Sequence, residues 1–167
     1  MENTKAIDIL KQAILLEKRG YAFYSMVAEQ TTDEDIKHIF NAMAEEETTH
    51  VKFLSEQFSH YDKNHAFLKV NLPDFVNEEI PNLVLNEEIR NRISAAGFEA
   101  AAIASAIDME KKAIEVYSAQ AEISVDPNEK ALFLWLANWE KTHLHVLSQL
   151  DNELKEKIWF DNQFWPF

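Results

Sequence analysis

Apolar side chains recur along four long stretches of this chain in steps of three and four, the spacing of one helix face. The first stretch places Ile7, Leu10, Ile14, Tyr21, Tyr24 and Ala28 on one stripe and predicts a helix from about Thr4 to Gln30. Thr31-Thr32-Asp33-Glu34 then supplies a cap and first-turn acids. A second helix follows through Ile36, Phe40, Met43 and Leu54, ending near Phe58 to Tyr61. Ala100, Ile103, Ile107, Ile114, Tyr117 and Ala121 mark a third, over roughly Gly97 to Ser124. Asp126-Pro127 opens the fourth, with Asp as cap and Pro at the first helical position. Its stripe is Phe133, Leu136, Leu147, Leu150 and Leu154, and it continues to about Lys157.

The second pair of helices repeats the first at an offset of 93 residues. Ala13, Ile14, Glu17, Lys18, Tyr24 and Ser25 recur at Ala106, Ile107, Glu110, Lys111, Tyr117 and Ser118. Phe40, Ala44, Glu47, Thr49 and His50 recur at Phe133, Ala137, Glu140, Thr142 and His143. A repeat of this length means two equivalent helical hairpins. We read residues 1–167 as one domain: hairpin 4–58, crossover 59–96, hairpin 97–157 and an aromatic tail 158–167. The crossover carries Pro73 and Pro81, and a short helix is expected within 86–94. Helices of this length are about 40 Å long. A crossover at about 3.3 Å per extended residue can run back along the bundle, where a short loop could not. The predicted fold is all-α: a ferritin-like four-helix bundle of two repeated hairpins joined by a long crossover.

Composition narrows the chemistry. Two glycines and four prolines permit long uninterrupted helices. The absence of cysteine excludes disulfides, thiolate-held zinc, iron–sulfur clusters and thiol catalysis within these residues. A formal charge of -13 opposes binding to nucleic acid or to anionic lipid. No secretory leader pattern opens the sequence and no apolar run is long enough to span a membrane, so a soluble cytoplasmic protein is expected.

Six ionisable residues interrupt the apolar stripes: Glu17, Glu47 and His50 in the first copy, Glu110, Glu140 and His143 in the second. Each takes a place where the pattern calls for Leu or Ile. Burying an uncompensated carboxylate costs several kcal/mol, so four facing one another require either protonation or a cation. Two divalent ions would neutralise four glutamates, and the histidines would add neutral nitrogen ligands. In Glu47-x-x-His50 and Glu140-x-x-His143 the two side chains lie about one turn apart on one face, so both reach one cavity. One Glu from each of two helices and Glu-x-x-His from the other two is the arrangement of di-iron and di-manganese carboxylate bundles.

The segments AILLEKRGYAFY (13–24), AEEETTH (44–50), AIDMEKKAIEVY (106–117) and ANWEKTH (137–143) resemble the ferritin-like domain of the rubrerythrin family. The resemblance implies two iron ions per chain, with manganese the alternative. It implies that Glu47 and Glu140 bridge them, that Glu17 with His50 completes one metal, and that Glu110 with His143 completes the other. It further implies an oxidoreductase: a non-haem di-iron peroxidase or oxidase of oxidative stress, acting on peroxide or O2. An iron-handling ferroxidase and a metal-stabilised structural bundle are the alternatives. Rubrerythrins proper add a Cys-ligated rubredoxin domain; this chain has no cysteine, so a separate rubredoxin-like electron donor is expected. They also carry an extra Glu three residues after the third-helix ligand, where this chain has Ala113, with Gly20 as its counterpart. By the same resemblance a homodimer is expected.

Tyr24 and Tyr117 lie seven residues after Glu17 and Glu110, on the same face, and are candidates to hydrogen-bond a ligand carboxylate; Tyr21 is a weaker one. Glu45 and Glu46 are expected on a solvated acidic face, and His38, His60, His65, His145 and Asp108 off the centre. Trp135 and Trp139 stand where the first hairpin has Ala42 and Glu46. This asymmetry predicts that the fourth helix packs against something the second does not: the crossover, the tail or another subunit.

Overall fold

A computed structural model of the chain describes residues 2–69 and 97–161. Within them run four helices and no strand: α1 (Glu2–Gln30), α2 (Glu34–Asn64), α3 (Phe98–Ile123) and α4 (Pro127–Asp161). The expected caps form. The Asp33 carboxylate accepts the backbone N–H groups of Asp35 (3.0 Å) and Ile36 (3.2 Å), satisfying donors that a helix start leaves open. Asp126 does the same for Asn128 and Glu129, with Pro127 at the first helical position.

Two helices outrun their expected ends by about one turn. α2 continues past Tyr61 to Asn64, where His65 turns left-handed at φ 55° and donates its N–H to the Tyr61 carbonyl. That turn is held by tertiary contacts. Tyr61 packs on Phe67 at 4.9 Å between ring centroids, and the Gln57 amide bonds both backbone groups of Leu68. α4 continues past Lys157 to Asp161, since no Gly or Pro interrupts the sequence before Pro166. Hairpin and crossover boundaries shift accordingly. The short helix expected in 86–94 and the end of the tail lie outside the described residues.

α1 packs along α2 and α3 along α4. Their apolar faces build two slabs. One contains Tyr24, Ile36, Phe40, Ile103, Leu147 and Leu150; the other contains Leu10, Leu54, Tyr117, Leu132, Phe133 and Leu136. Each buried Leu, Ile or Phe stabilises the fold by roughly 1.5–3 kcal/mol. The order in which each helix crosses the slabs gives its direction. α1 runs from the second slab to the first, α2 and α3 both return, and α4 ascends again. α2 therefore ends at the opposite end of the bundle from the start of α3, a gap no short loop closes. This is the all-α, ferritin-like arrangement of hairpin, crossover and hairpin.

The buried line of α1 is rotated slightly from the expected stripe. It passes through Leu10, Ala13, Glu17, Gly20, Tyr24 and Val27, while Tyr21 is 47 % exposed. The cause is close helix approach: a Cβ on Gly20 would lie 3.0 Å from Cδ of Glu47, so the smallest residue faces inward there. No described helix is long and apolar enough to cross a membrane.

Candidate metal centre

Between the two apolar slabs lies a polar layer made by the six interrupting residues. All are buried, none more than 3 % exposed. Their ligand atoms form two groups, each within a 4.8 Å span: Glu17, Glu47, His50 and Glu140, and Glu47, Glu110, Glu140 and His143. Glu47 and Glu140 belong to both. The repeat thus becomes a local two-fold, with one Glu and one His on each side of a shared pair.

The imidazoles point inward through Nδ1. His50 Nδ1 lies 3.0 Å from Glu17 Oε2, 3.1 Å from Glu140 Oε1 and 3.4 Å from Glu47 Oε2. His143 Nδ1 lies 3.0 Å from Glu140 Oε2, 3.4 Å from Glu110 Oε1 and 3.7 Å from Glu47 Oε1. Of these contacts only that of His50 with Glu17 is aligned as a hydrogen bond. Glu47 Oε2, both oxygens of Glu140 and His143 Nδ1 have no hydrogen-bond partner among the described residues. Buried polar atoms are ordinarily paired, so converging orphaned oxygens and a nitrogen fit a cation. Carboxylate and imidazole without thiolate suit iron or manganese. A cavity of about 20 Å³ opens among Glu17, Glu47, Glu110 and Glu140, walled by Gly20 and Ala113. About 10–15 Å³ suffices for one water-sized occupant.

Without a metal, the layer balances its charge through protons. Burial pushes the Glu47 carboxyl well above its usual range, and Glu140 and Glu17 add repulsion. Burial likewise raises Glu110, to about 7, with Glu140 contributing. Burial opposes charge on both histidines, but the facing carboxylates outweigh it, Glu140 foremost at His50 and Glu110 at His143, and hold both imidazoles above their ordinary value. Glu140 moves the other way. Burial would raise it, yet it sits between His50 and His143 and is held below the usual carboxylate range.

Tyr24 and Tyr117 do reach glutamates, each across to the other hairpin. The Tyr24 hydroxyl donates to Glu110 Oε1 and the Tyr117 hydroxyl to Glu17 Oε1. Burial, with Glu110 and Glu47 nearby, raises Tyr24 well above the usual phenol, so it stays a donor. Both rings lean on a repeat-related phenylalanine, Tyr24 on Phe40 at 5.9 Å and Tyr117 on Phe133 at 6.0 Å.

One expectation needs correction. Glu45 is exposed, but Glu46 is buried: its Oε2 lies 2.6 Å from His143 Nε2 and accepts the Trp139 indole N–H at 2.7 Å. A carboxylate one step before the shared Glu47 is turned toward α4, where those partners desolvate it. The signal for Glu46 was present in the sequence, since residues 46 and 139 share one repeat register beside the ligands. Trp135 and Trp139 meet α2 edge to face at His50, at 5.6 and 4.9 Å, and Trp135 also meets Phe53; most of the crossover and the end of the tail expected against them lie outside the described residues. His38, His65, His145 and Asp108 are exposed and His60 half-buried, all away from the centre.

Fold and polar layer together define a ferritin-like bundle with a buried carboxylate–histidine centre. No curated protein and no solved structure matches the chain significantly. The family model described as Rubrerythrin matches residues 8–151, most of the chain. The chain belongs to the rubrerythrin family.

Proposed function

We propose that this protein holds two metal ions, iron in the first instance, and reduces peroxide or O2 with electrons from a separate donor protein. The observation that carries the reading is the pair of overlapping ligand groups sharing Glu47 and Glu140. Glu17 and His50 would complete one position, and Glu110 and His143 the other. Two ferrous ions supply two electrons, the number that with two protons converts one peroxide to two waters.

The chain's own residues would do the rest. Tyr24 and Tyr117 hold Glu110 and Glu17 by one oxygen each, leaving the second oxygen of each carboxylate for a metal. The two apolar slabs keep bulk water from the layer. Gly20 and Ala113 leave space beside the four carboxylates for a small oxidant rather than a larger substrate. None of residues 1–167 is a cysteine, so none of them can hold a thiolate-bound iron to feed the centre.

Elemental analysis of anaerobically purified protein, followed by peroxide turnover with an added reductant, tests this. Two irons per chain and repeated peroxide consumption are expected. A metal-loaded protein that never turns over with any reductant would defeat the enzymatic reading. Oxidation of many Fe(II) per chain would indicate iron handling instead.

A further inference from the structure

The local two-fold around the centre breaks behind the two histidines. Glu46 on α2 and Trp139 on α4 are related by the 93-residue offset, each directly before a shared glutamate. Residue 46 stands behind His143, and residue 139 behind His50. Behind His143 is a carboxylate, with Glu46 Oε2 at 2.6 Å from Nε2. Behind His50 are two indole rings, and His50 Nε2 has no hydrogen-bond partner among the described residues. Trp139 serves both sides: its ring borders His50, and its N–H bonds the same Glu46 oxygen that faces His143. The neighbouring tyrosine–glutamate bonds and tyrosine–phenylalanine pairs keep the symmetry.

We propose that Glu46 makes the two metal positions unequal, so that a divalent cation enters the Glu110–His143 position first and binds it more tightly than the Glu17–His50 position. This rests on the two-metal reading above. A carboxylate that accepts the Nε2–H of an imidazole selects the tautomer whose Nδ1 lone pair faces the cluster, fixes the ring plane and raises the basicity of Nδ1. His143 has that partner. The same tautomer of His50 would aim its N–H at indole rings, which neither draw on the proton nor fix the ring by a strong bond. Glu46 also adds a carboxylate behind His143, and none of the described residues supplies one behind His50. Trp139 prevents the Glu46 carboxylate from turning away. Glu46 is thus a positioning residue acting through His143.

The test titrates the metal-free full-length chain with Co(II) alone, read by visible absorption of the bound ion and by tryptophan quenching. Two steps at least tenfold apart are expected. Glu110→Ala should abolish the tight step and Glu17→Ala the weak one. Glu46→Gln should weaken the tight step by about 10–100-fold and leave the weak step in place. Trp139→Phe, which keeps the carboxylate but frees it to turn, should weaken the same step less. Several results overturn the proposal: two ions bound with one affinity, a tight step that survives Glu110→Ala, or equal weakening of both steps by Glu46→Gln. In each of these the chain still takes up two ions, so the two-metal reading stands. Uptake of fewer than two ions by the unaltered chain removes both. If Glu46→Gln fails to fold by circular dichroism, the unaltered chain and the Glu110→Ala and Glu17→Ala pair decide.

Discussion

Each glutamate of the polar layer has its own surroundings, and these set its role. Glu140 sits between two imidazoles and remains ionised, whereas Glu47, flanked by Glu140 and Glu17, is the carboxylate burial drives toward protonation. Both belong to each ligand group, so Glu47→Ala or Glu140→Ala should remove both proposed metal positions, while Glu17→Ala should remove one. Elemental analysis checks this; equal metal content in all three variants would defeat the assignment. Tyr117→Phe strips the hydroxyl from Glu17 Oε1 and leaves a buried acceptor short of a donor. That costs about 1–3 kcal/mol, so the metal-free variant should melt several degrees lower. An unchanged melting temperature would mean the bond contributes nothing to the fold.

Helix placement turns on small residues. Gly20 faces Glu47 closely, and its repeat counterpart is Ala113, buried on α3 at the same cavity. A methyl group is therefore accommodated on one hairpin and crowded on the other. Gly20→Ala would gain about 1 kcal/mol of helix propensity. The new Cβ would meet Glu47 Cδ at 3.0 Å and displace the carboxylate from its shared position. The variant should keep its helical circular dichroism and lose metal affinity several-fold. Full affinity would show that α1 and α2 can separate without consequence for the centre. Helix ends carry a related lesson. α2 stops on a left-handed histidine where glycine is usual, because Gln57 closes the turn through Leu68.

At the scale of the whole bundle, stability, metal and pH are linked. Glu110 is raised from 4.5 to about 7 in the fold, so its contribution is full below pH 4.5 and lost as pH rises toward 7. A shift of that size is worth about 3 kcal/mol. Both histidines are also raised, and their contributions fade as pH climbs above 6.5 and through their folded values. Glu140, lowered, gives stability that disappears only as pH falls below 4.5 toward its folded value. The metal-free protein should therefore lose thermal stability between about pH 5 and pH 8. A metal bound as proposed would replace protons in this layer, so stabilisation by metal should grow over the same interval. Calorimetric scans with and without Mn(II) measure both. A metal-free melting temperature that rises across this range would contradict the charge balance described for the layer.

Much of this was legible in one dimension. The 3.6-residue period and the 93-residue repeat determine four helices in two hairpins, because a helix reports its buried face through spacing alone. Six polar residues at apolar stripe positions likewise determine a buried polar layer that calls for protons or a cation, because uncompensated carboxylates cannot remain there. Tertiary structure decided what depends on contacts between helices. It turned the inward line of α1 from Tyr21 to Gly20, as two adjacent rows satisfy the same alternation and only the distance to Glu47 separates them. It carried each tyrosine hydroxyl to the opposite hairpin's glutamate, and it drew Glu46 out of solvent to His143 and Trp139. Spacing along one helix records which face is buried; what a side chain meets there depends on the rotation and closeness of the neighbouring helix, which spacing does not encode.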